Sequence, residues 1–323
     1  MVTTTAEKPT IPKAPRRRPT RDVQGTGRLA AWLLSPVFLV LALVVGYPVL
    51  MAFRESLYQH KSGLDASGFV VEGDKFVGLA NYSNIFTGPN SSAFWNAFWN
   101  TTFFTVVQVS IESVVGVCMA LIMQRAFRGT AVIRASVLVP WAIPTAVSGI
   151  MWRWVFNADG IANAMLGSKV LWTADGFESK IAVIIADTWK TAPFIGLLVL
   201  AGLQMISPDV YEAARVDGAN AWHSFTRITL PLVKPALMVA VLFRLLDTLR
   251  MFDLPFVLVG AHKDSVETLT MVAYDEASNL RYGPAAAYAT VLFLYIAAIA
   301  YAFVRLLGAD VIGRGQNLEK GRK

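Results

Sequence analysis

Leu29 to Phe53 is a run of 25 residues without one charged side chain. As a helix it would rise about 37 Å at roughly 1.5 Å per residue. That is enough to cross a hydrocarbon core of about 30 Å with some tilt. The run is too long for the apolar region of a secretory signal, and it passes through Tyr47-Pro48-Val49 rather than a small-residue cleavage site. It reads as a retained membrane span.

Five further apolar segments follow, giving spans at about 29–53, 98–124, 132–156, 181–206, 235–260 and 284–307. Lipid leaves no water to satisfy backbone groups, so all six are expected to be helices. Pro48, Pro140, Pro144, Pro193 and Pro255 predict kinks. The composition agrees: 55% of residues are hydrophobic and 16% charged, with mean hydropathy +0.49. Soluble domains carry about 25% charged residues. The fold class expected is an all-α membrane protein.

Lysine and arginine set the orientation. The segments 1–28, 125–134, 207–234 and 305–323 hold 18 of them, against 8 in the alternate loops and the border residue Arg153. The positive-inside rule therefore places both termini and the loop 207–235 in the cytoplasm. The net charge of +7 belongs to this bias and to the tails, not to nucleic-acid binding. Residues 1–28, with Arg16-Arg17-Arg18, are expected to form a disordered basic tail able to touch anionic lipid. Residues 29–307 form the membrane domain, and 308–323 a second basic tail. Residues 54–97 are expected to form an external loop. Phe94, Trp95, Phe98 and Trp99 fall where an interfacial aromatic belt belongs. The single cysteine, Cys118, excludes an intrachain disulfide and is expected to be a buried, inert thiol. The histidines His60, His223 and His262 lack metal-ligand spacing, so no metal site is expected.

Ser207 to Pro235, SPDVYEAARVDGANAWHSFTRITLPLVKP, is polar between two apolar segments. Ser207-Pro208-Asp209 has the form of a helix start: a serine N-cap, proline in the first turn and an acid at the positive end of the dipole. Asp217-Gly218 ends that helix, and Asn220 can cap a second short one. Trp222, Phe225 and Ile228 would share its apolar face. Pro231 and Pro235 then mark entry into the next span. The product is a helix–turn–helix at the membrane surface. It suits either a membrane-hugging loop or a docking surface, where the small Ala213 and Ala214 permit close approach.

Glu212-Ala213-Ala214, Asp217-Gly218-Ala219, Phe225, Ile228-x-Leu230-Pro231 and Pro235 resemble the E-A-A-x-x-x-G…I-x-L-P signature of importer permeases driven by ATP-binding-cassette ATPases. Phe76-Val77-Gly78-Leu79-Ala80-Asn81-Tyr82 with Ile85-Phe86, Trp189 with Pro193-Phe194, and Arg250-x-Phe252-Asp253 resemble its maltose-type sugar branch, including the permeases of actinobacterial trehalose importers. The resemblance covers about residues 30–307. It implies a six-span type I importer permease whose 207–235 loop is the coupling helix. Glu212, Ala213, Ala214, Asp217, Gly218, Ala219, Ile228, Leu230 and Pro231 would then meet the ATPase. It also implies a second homologous permease, two ATPase subunits, an extracytoplasmic sugar-binding lipoprotein and residence in the plasma (inner) membrane. Transport would proceed by alternating access, with trehalose the sugar implied and other disaccharides compatible.

Ionisable groups inside the spans are costly and should face one another or a cavity. Arg244, Asp247, Arg250 and Asp253 recur at intervals of three, so Arg244–Asp247 and Arg250–Asp253 can pair, as can Asp187–Lys190. Glu112 stands alone and is expected to make an interhelical hydrogen bond. Such pairs can lock helices together or line a sugar path, with Trp189 or Phe194 stacking on a sugar face. The resemblance points to the helices on either side of the loop, giving Asp187, Lys190, Thr191, Phe194, Arg244, Asp247, Thr248 and Met251 as pathway candidates. No G-x-x-x-x-G-K-[ST], G-x-S-x-G or H-E-x-x-H motif occurs. No catalytic residue and no cofactor of this chain's own is therefore expected, with ATP and Mg in a partner ATPase. The same carboxylates admit a second reading, a proton-coupled sugar transporter relaying through Asp187, Asp247 or Asp253. That reading leaves the patterned loop unexplained.

Overall fold

The computed structural model describes residues 23–64, 70–89, 91–125 and 129–320. The basic stretch 1–22 and residues 321–323 lie outside them. The chain divides into two compact units, Met1–Met51 and Ala52–Lys323. In the first, helix α1 (Val23–Leu41) passes through a π-helical turn (Ala42–Gly46) toward α2 (Tyr47–Glu55). Helix begins at Val23, inside the stretch expected to be a tail.

In the second unit, a hairpin of β1 (Tyr58–Leu64) and β2 (Val70–Phe76) pairs Tyr58 with Phe76 in antiparallel register. It is followed by α3 (Ala80–Thr87) and α4 (Ser91–Gln124). Beyond these come α5 (Thr130–Ala142), α6 (Thr145–Val155), α7 (Ile161–Leu166), α8 (Phe177–Gln204) and α9 (Pro208–Val216). The chain then forms α10 (Ala221–Ser224), a second π-helical turn (Phe225–Thr229), α11 (Leu230–Thr248), α12 (Asp253–Leu258), α13 (Leu269–Ser278) and α14 (Tyr282–Lys320). Among the described residues five helices are long and apolar enough to cross a membrane, and six spans result if the bent pair α5–α6 counts as one.

The centre of this unit is the side-by-side packing of α4 and α8, with α11 laid against both. Small residues allow the close approach. A Cβ on Gly116 would stand 2.7 Å from Ile195 Cγ2, and one on Gly196 would stand 3.3 Å from the Gly116 carbonyl oxygen. Met123, Ile195, Leu203, Val233 and Ala240 fill the space below. A second cluster, built on Phe104, Val183, Leu254 and Leu258, packs the other end of α8 against α12.

Proline explains the departures from the expected spans. The third is two helices meeting at 96°. Ile143 takes an extended conformation (φ −73°, ψ 132°), as the residue before a proline prefers, and Pro144 then stands as the N-cap of α6. The fifth ends at Thr248, and Pro255 falls in the first turn of α12, where its missing N–H leaves no helical bond unmade. Both π turns lie just before a proline. The Tyr47 N–H donates to the Ala42 carbonyl ahead of Pro48, and the Leu230 N–H donates to the Phe225 carbonyl ahead of Pro231. Each proline removes a donor from the regular ladder, and a wider turn accommodates the loss.

Other expectations are corrected too. A β-hairpin occupies part of the stretch read as loop 54–97. The last span, Tyr282–Leu306, agrees with the expected 284–307, and helix α14 continues beyond it to Lys320. Phe94 leaves the aromatic belt for the core at 2% exposed, beside Tyr288, because α4 starts at Ser91 and turns that residue inward. Cys118 is exposed rather than buried.

Candidate functional site

Arg244, near the end of α11, is 4% exposed and meets three carboxylates from three directions. Its Nε donates to Glu112 Oε2 on α4 at 2.5 Å, and Nη2 donates to Glu112 Oε1 at 3.1 Å. Nη2 also donates to Asp187 on α8. Nη1 donates to Asp247 Oδ2, one turn along α11, at 2.6 Å. The Thr191 hydroxyl, with one hydrogen to give, lies 2.7 Å from Glu112 Oε1 and 2.7 Å from the Asp187 carbonyl, and shares that hydrogen between them. A buried guanidinium needs such partners, since an unpaired charge in a low-dielectric interior is strongly disfavoured.

Of the pairs expected from sequence spacing, Arg244–Asp247 forms and the other two do not. Asp187 pairs with Arg244, while the Lys190 ammonium reaches the Trp141 carbonyl at 3.5 Å. Arg250 faces Asp247 at 3.6 Å rather than Asp253, because α11 has ended and the helical spacing no longer holds. Glu112 makes the interhelical hydrogen bond expected of it, and makes it as an ion pair with Arg244 rather than as a lone acid.

These groups border a cavity of about 320 Å³ lined by Asp187, Lys190, Thr191, Arg244, Asp247 and Met251. An adjoining one of about 220 Å³ includes Phe194. Thr248 lines neither. It is buried, and its hydroxyl donates to the Arg244 carbonyl at 2.9 Å. Trp189 also stands apart, edge-on to Trp152 with ring centres 5.7 Å apart. Trp141, absent from the candidates, lines both cavities and stacks on Phe194 at 5.8 Å and 20°. The α5–α6 break brings Thr145 into the lining beside it. Pro140-Trp141-Ala142-Ile143-Pro144 is the sequence signal for that break. Mixed charges and an aromatic face suit a neutral, hydroxyl-rich ligand. Among the described residues no three His, Cys, Asp or Glu side chains gather so as to hold a metal ion.

A second constellation follows α8. The Val210 N–H donates to the Ser207 carbonyl at 3.2 Å, so Ser207 starts α9 through its backbone and not through its side chain. At the other end the Ala219 N–H donates to the Ala214 carbonyl at 2.9 Å and the Gly218 N–H to the Arg215 carbonyl at 3.1 Å. Gly218 has φ +78°. This is the paired-bond helix stop that glycine favours. Asn220 Oδ1 accepts from the His223 N–H at 2.8 Å, capping the next helix. That helix does not stop at Pro231. It runs through the π turn into α11, so Ala221–Thr248 is one helical path. The Trp222 and Phe225 rings lie 6.0 Å apart. Tyr211 Oη and Thr229 Oγ1 bridge the two arms at 3.2 Å. Ala214 is buried, and Ala219 and Ile228 are half-buried. Glu212, Ala213, Asp217, Gly218, Leu230 and Pro231 are exposed.

At the opposite end of α8, the Asp175 carboxyl is held below its usual range first by the Ser265 side chain and then by the Ser265 N–H, which donates to Oδ1 at 2.8 Å. Asn100 Nδ2 donates to the carbonyls of Asp264 and Glu267, and Lys180 Nζ donates to Asn100 Oδ1 at 2.8 Å. The loop between α12 and α13 is thereby tied to α4 and α8.

Residues 112–313 match the family of binding-protein-dependent transport system inner membrane components. The trehalose/maltose transport system permease protein MalF of Thermococcus litoralis is 35% identical over 285 residues, 86% of this chain and 93% of that protein. The trehalose transport system permease protein SugA of Mycobacterium tuberculosis is 35% identical over 289 residues, covering 88% and 91%. A bacterial alginate ABC transporter, solved with a periplasmic protein carrying an alginate pentasaccharide, shares the fold at TM-score 0.72 and 20% identity, over 88% of this chain and 96% of its own.

Proposed function

The chain belongs to the family of binding-protein-dependent transport system inner membrane components, and on that premise we propose that it is one permease of an ATP-driven disaccharide importer, with trehalose its preferred sugar. One observation carries the reading. The polar cavity lies between α8 and α11, and these are the helices that lead directly into and out of the exposed 207–235 loop. Force applied to the loop is therefore applied to both walls of the cavity.

In this reading the loop is cytoplasmic, as are both termini. Glu212, Ala213, Ala214, Asp217, Gly218, Ala219, Ile228, Leu230 and Pro231 form the coupling surface for one of two ATPase subunits. Those subunits hold ATP and Mg, and this chain binds no cofactor. A second homologous permease completes the path, and an extracytoplasmic binding protein delivers sugar. ATPase closure drives the coupling loops together and opens the path outward, and hydrolysis returns it inward. Asp187, Lys190, Thr191, Phe194, Arg244, Asp247 and Met251 present hydrogen-bond partners and an aromatic face to the passing sugar. Thr248 acts one step back, holding the backbone of Arg244.

Proteoliposomes bearing the assembled complex test this. Trehalose uptake should require ATP and the binding protein. Uptake that ignores ATP and follows an imposed proton gradient would establish the secondary-transport alternative instead.

A further inference from the structure

Glu112 contributes nothing to the cavity wall, yet it holds two residues that do. It is 0% exposed, and both its oxygens are engaged from the cavity side: Oε2 by Arg244 Nε at 2.5 Å, Oε1 by Arg244 Nη2 at 3.1 Å and by Thr191 Oγ1 at 2.7 Å. Arg244 and Thr191 line both cavities, and they come from different helices. A guanidinium has five N–H donors. Glu112 takes two, Asp187 one and Asp247 one, leaving a single Nη1 hydrogen unassigned.

We propose that Glu112 is a positioning residue for transport: from outside the cavity it fixes the plane of the Arg244 guanidinium and the Thr191 hydroxyl, so that Arg244 offers one N–H to a sugar hydroxyl. This rests on the importer reading above. A two-point bond to Nε and Nη2 fixes the plane as well as the place of a guanidinium, which a single contact cannot do. The role also accounts for an acid on the buried face of α4, where an unpaired carboxylate would be costly. Glutamine is a discriminating replacement. It has the same shape, but its amide nitrogen sets a donor against one of the donors now facing Glu112.

The test uses the assembled complex with its ATPase, partner permease and binding protein in proteoliposomes, and it reads sugar uptake and ATP hydrolysis together. Glu112→Gln should lower sugar moved per ATP about tenfold, the scale of one lost charge-assisted hydrogen bond, with stimulated hydrolysis within about twofold of wild type. Arg244→Gln should show the same loss, and Glu112→Gln should add little to it in the double variant. Glu112→Asp, which keeps the charge, should recover part of the ratio. An unchanged ratio in Glu112→Gln, proportional loss of uptake and hydrolysis, or additive losses with Arg244→Gln would each overturn the role. If Glu112→Gln fails to assemble, Glu112→Asp decides: a reduced ratio with intact hydrolysis supports the role, and a wild-type ratio overturns it. A wild-type complex that moves no sugar counts against the importer reading itself, whereas transport with an indifferent Glu112→Gln counts against positioning alone.

Discussion

Asp187 and Arg244, 57 residues apart and on different helices, share a buried ion pair, while Lys190 lies one turn from Asp187 and takes no part in it. Breaking a buried pair from one side leaves a charge uncompensated, typically at 3–5 kcal/mol. Arg244 would keep Glu112 and Asp247, so Asp187→Ala should cost about 3 kcal/mol, at the low end of that range. Lys190→Ala, which loses a 3.5 Å contact to the Trp141 carbonyl and a longer-range attraction to Asp187 and Asp247 but breaks no ion pair, should cost no more than about 1 kcal/mol. Unfolding of the two purified variants side by side measures the difference. Equal losses would mean that Lys190, not Arg244, neutralises Asp187.

The α4–α8 crossing should be intolerant of a side chain at Gly116. An added Cβ would lie 2.7 Å from Ile195 Cγ2, 2.8 Å from Ile195 Cβ and 3.1 Å from the Ala192 carbonyl oxygen. Two of those neighbours belong to a side chain and one to rigid backbone. Gly116→Val should therefore destabilise by about 1–3 kcal/mol or more through overpacking. Ile195→Ala in the same chain should recover part of the loss and not all of it, since the carbonyl remains. Thermal unfolding of the single and double variants is the measurement.

Glu267, in the loop before α13, supplies a pH dependence of definite sign. Burial first, and the neighbouring Asp264 carboxylate second, raise its pKa above the ordinary value of 4.5. The charged form is thus disfavoured in the folded state. Stability contributed by this group is full below about pH 4.5, falls as pH rises through the raised folded value, and stays low above it. Glu267→Gln should raise the unfolding temperature at neutral pH, and the gain should vanish near pH 4. A gain that is constant across that interval would assign the effect to something other than the charge.

The parts of this fold legible in the sequence are those governed by local chemistry. Pro208 opening α9, Gly218 ending it and Asn220 capping the next helix depend on neighbours within a few residues, and the span count depends on composition. The partners of Arg244 are different. Spacing of three proposes only neighbours on one helix, so it yields Asp247 but not Glu112 on α4 or Asp187 on α8. These depend on the register in which α4 and α8 pack, which Gly116 and Gly196 set. Likewise Pro144 announces a kink without saying that it reaches 96° and swings Trp141 into the cavity wall. The continuity of α10 into α11 is hidden because Pro231 reads as the entry to a separate span, whereas a π turn lets one helix pass it.

Gly218 brings the exposed loop to a quantitative test. Its φ of +78° lies in the left-handed region, and nothing stands within 4 Å of where a Cβ would be. Space is therefore available and conformation is the obstacle, which costs an ordinary side chain roughly 1–2 kcal/mol. Asparagine tolerates this region and a β-branched residue does not. If the two hydrogen bonds closing α9 keep the loop shaped for an ATPase, Gly218→Asn should retain most coupled uptake. Gly218→Val should lose several-fold in sugar moved per ATP, because about 1–2 kcal/mol of strain shifts the turn population by roughly 5- to 30-fold. Binding of sugar to the external binding protein should be untouched in both. Coupled uptake in Gly218→Val equal to wild type would show that the left-handed turn is dispensable for coupling, and a comparable loss in Gly218→Asn would point to the absence of a side chain, rather than to backbone conformation, as what the partner requires.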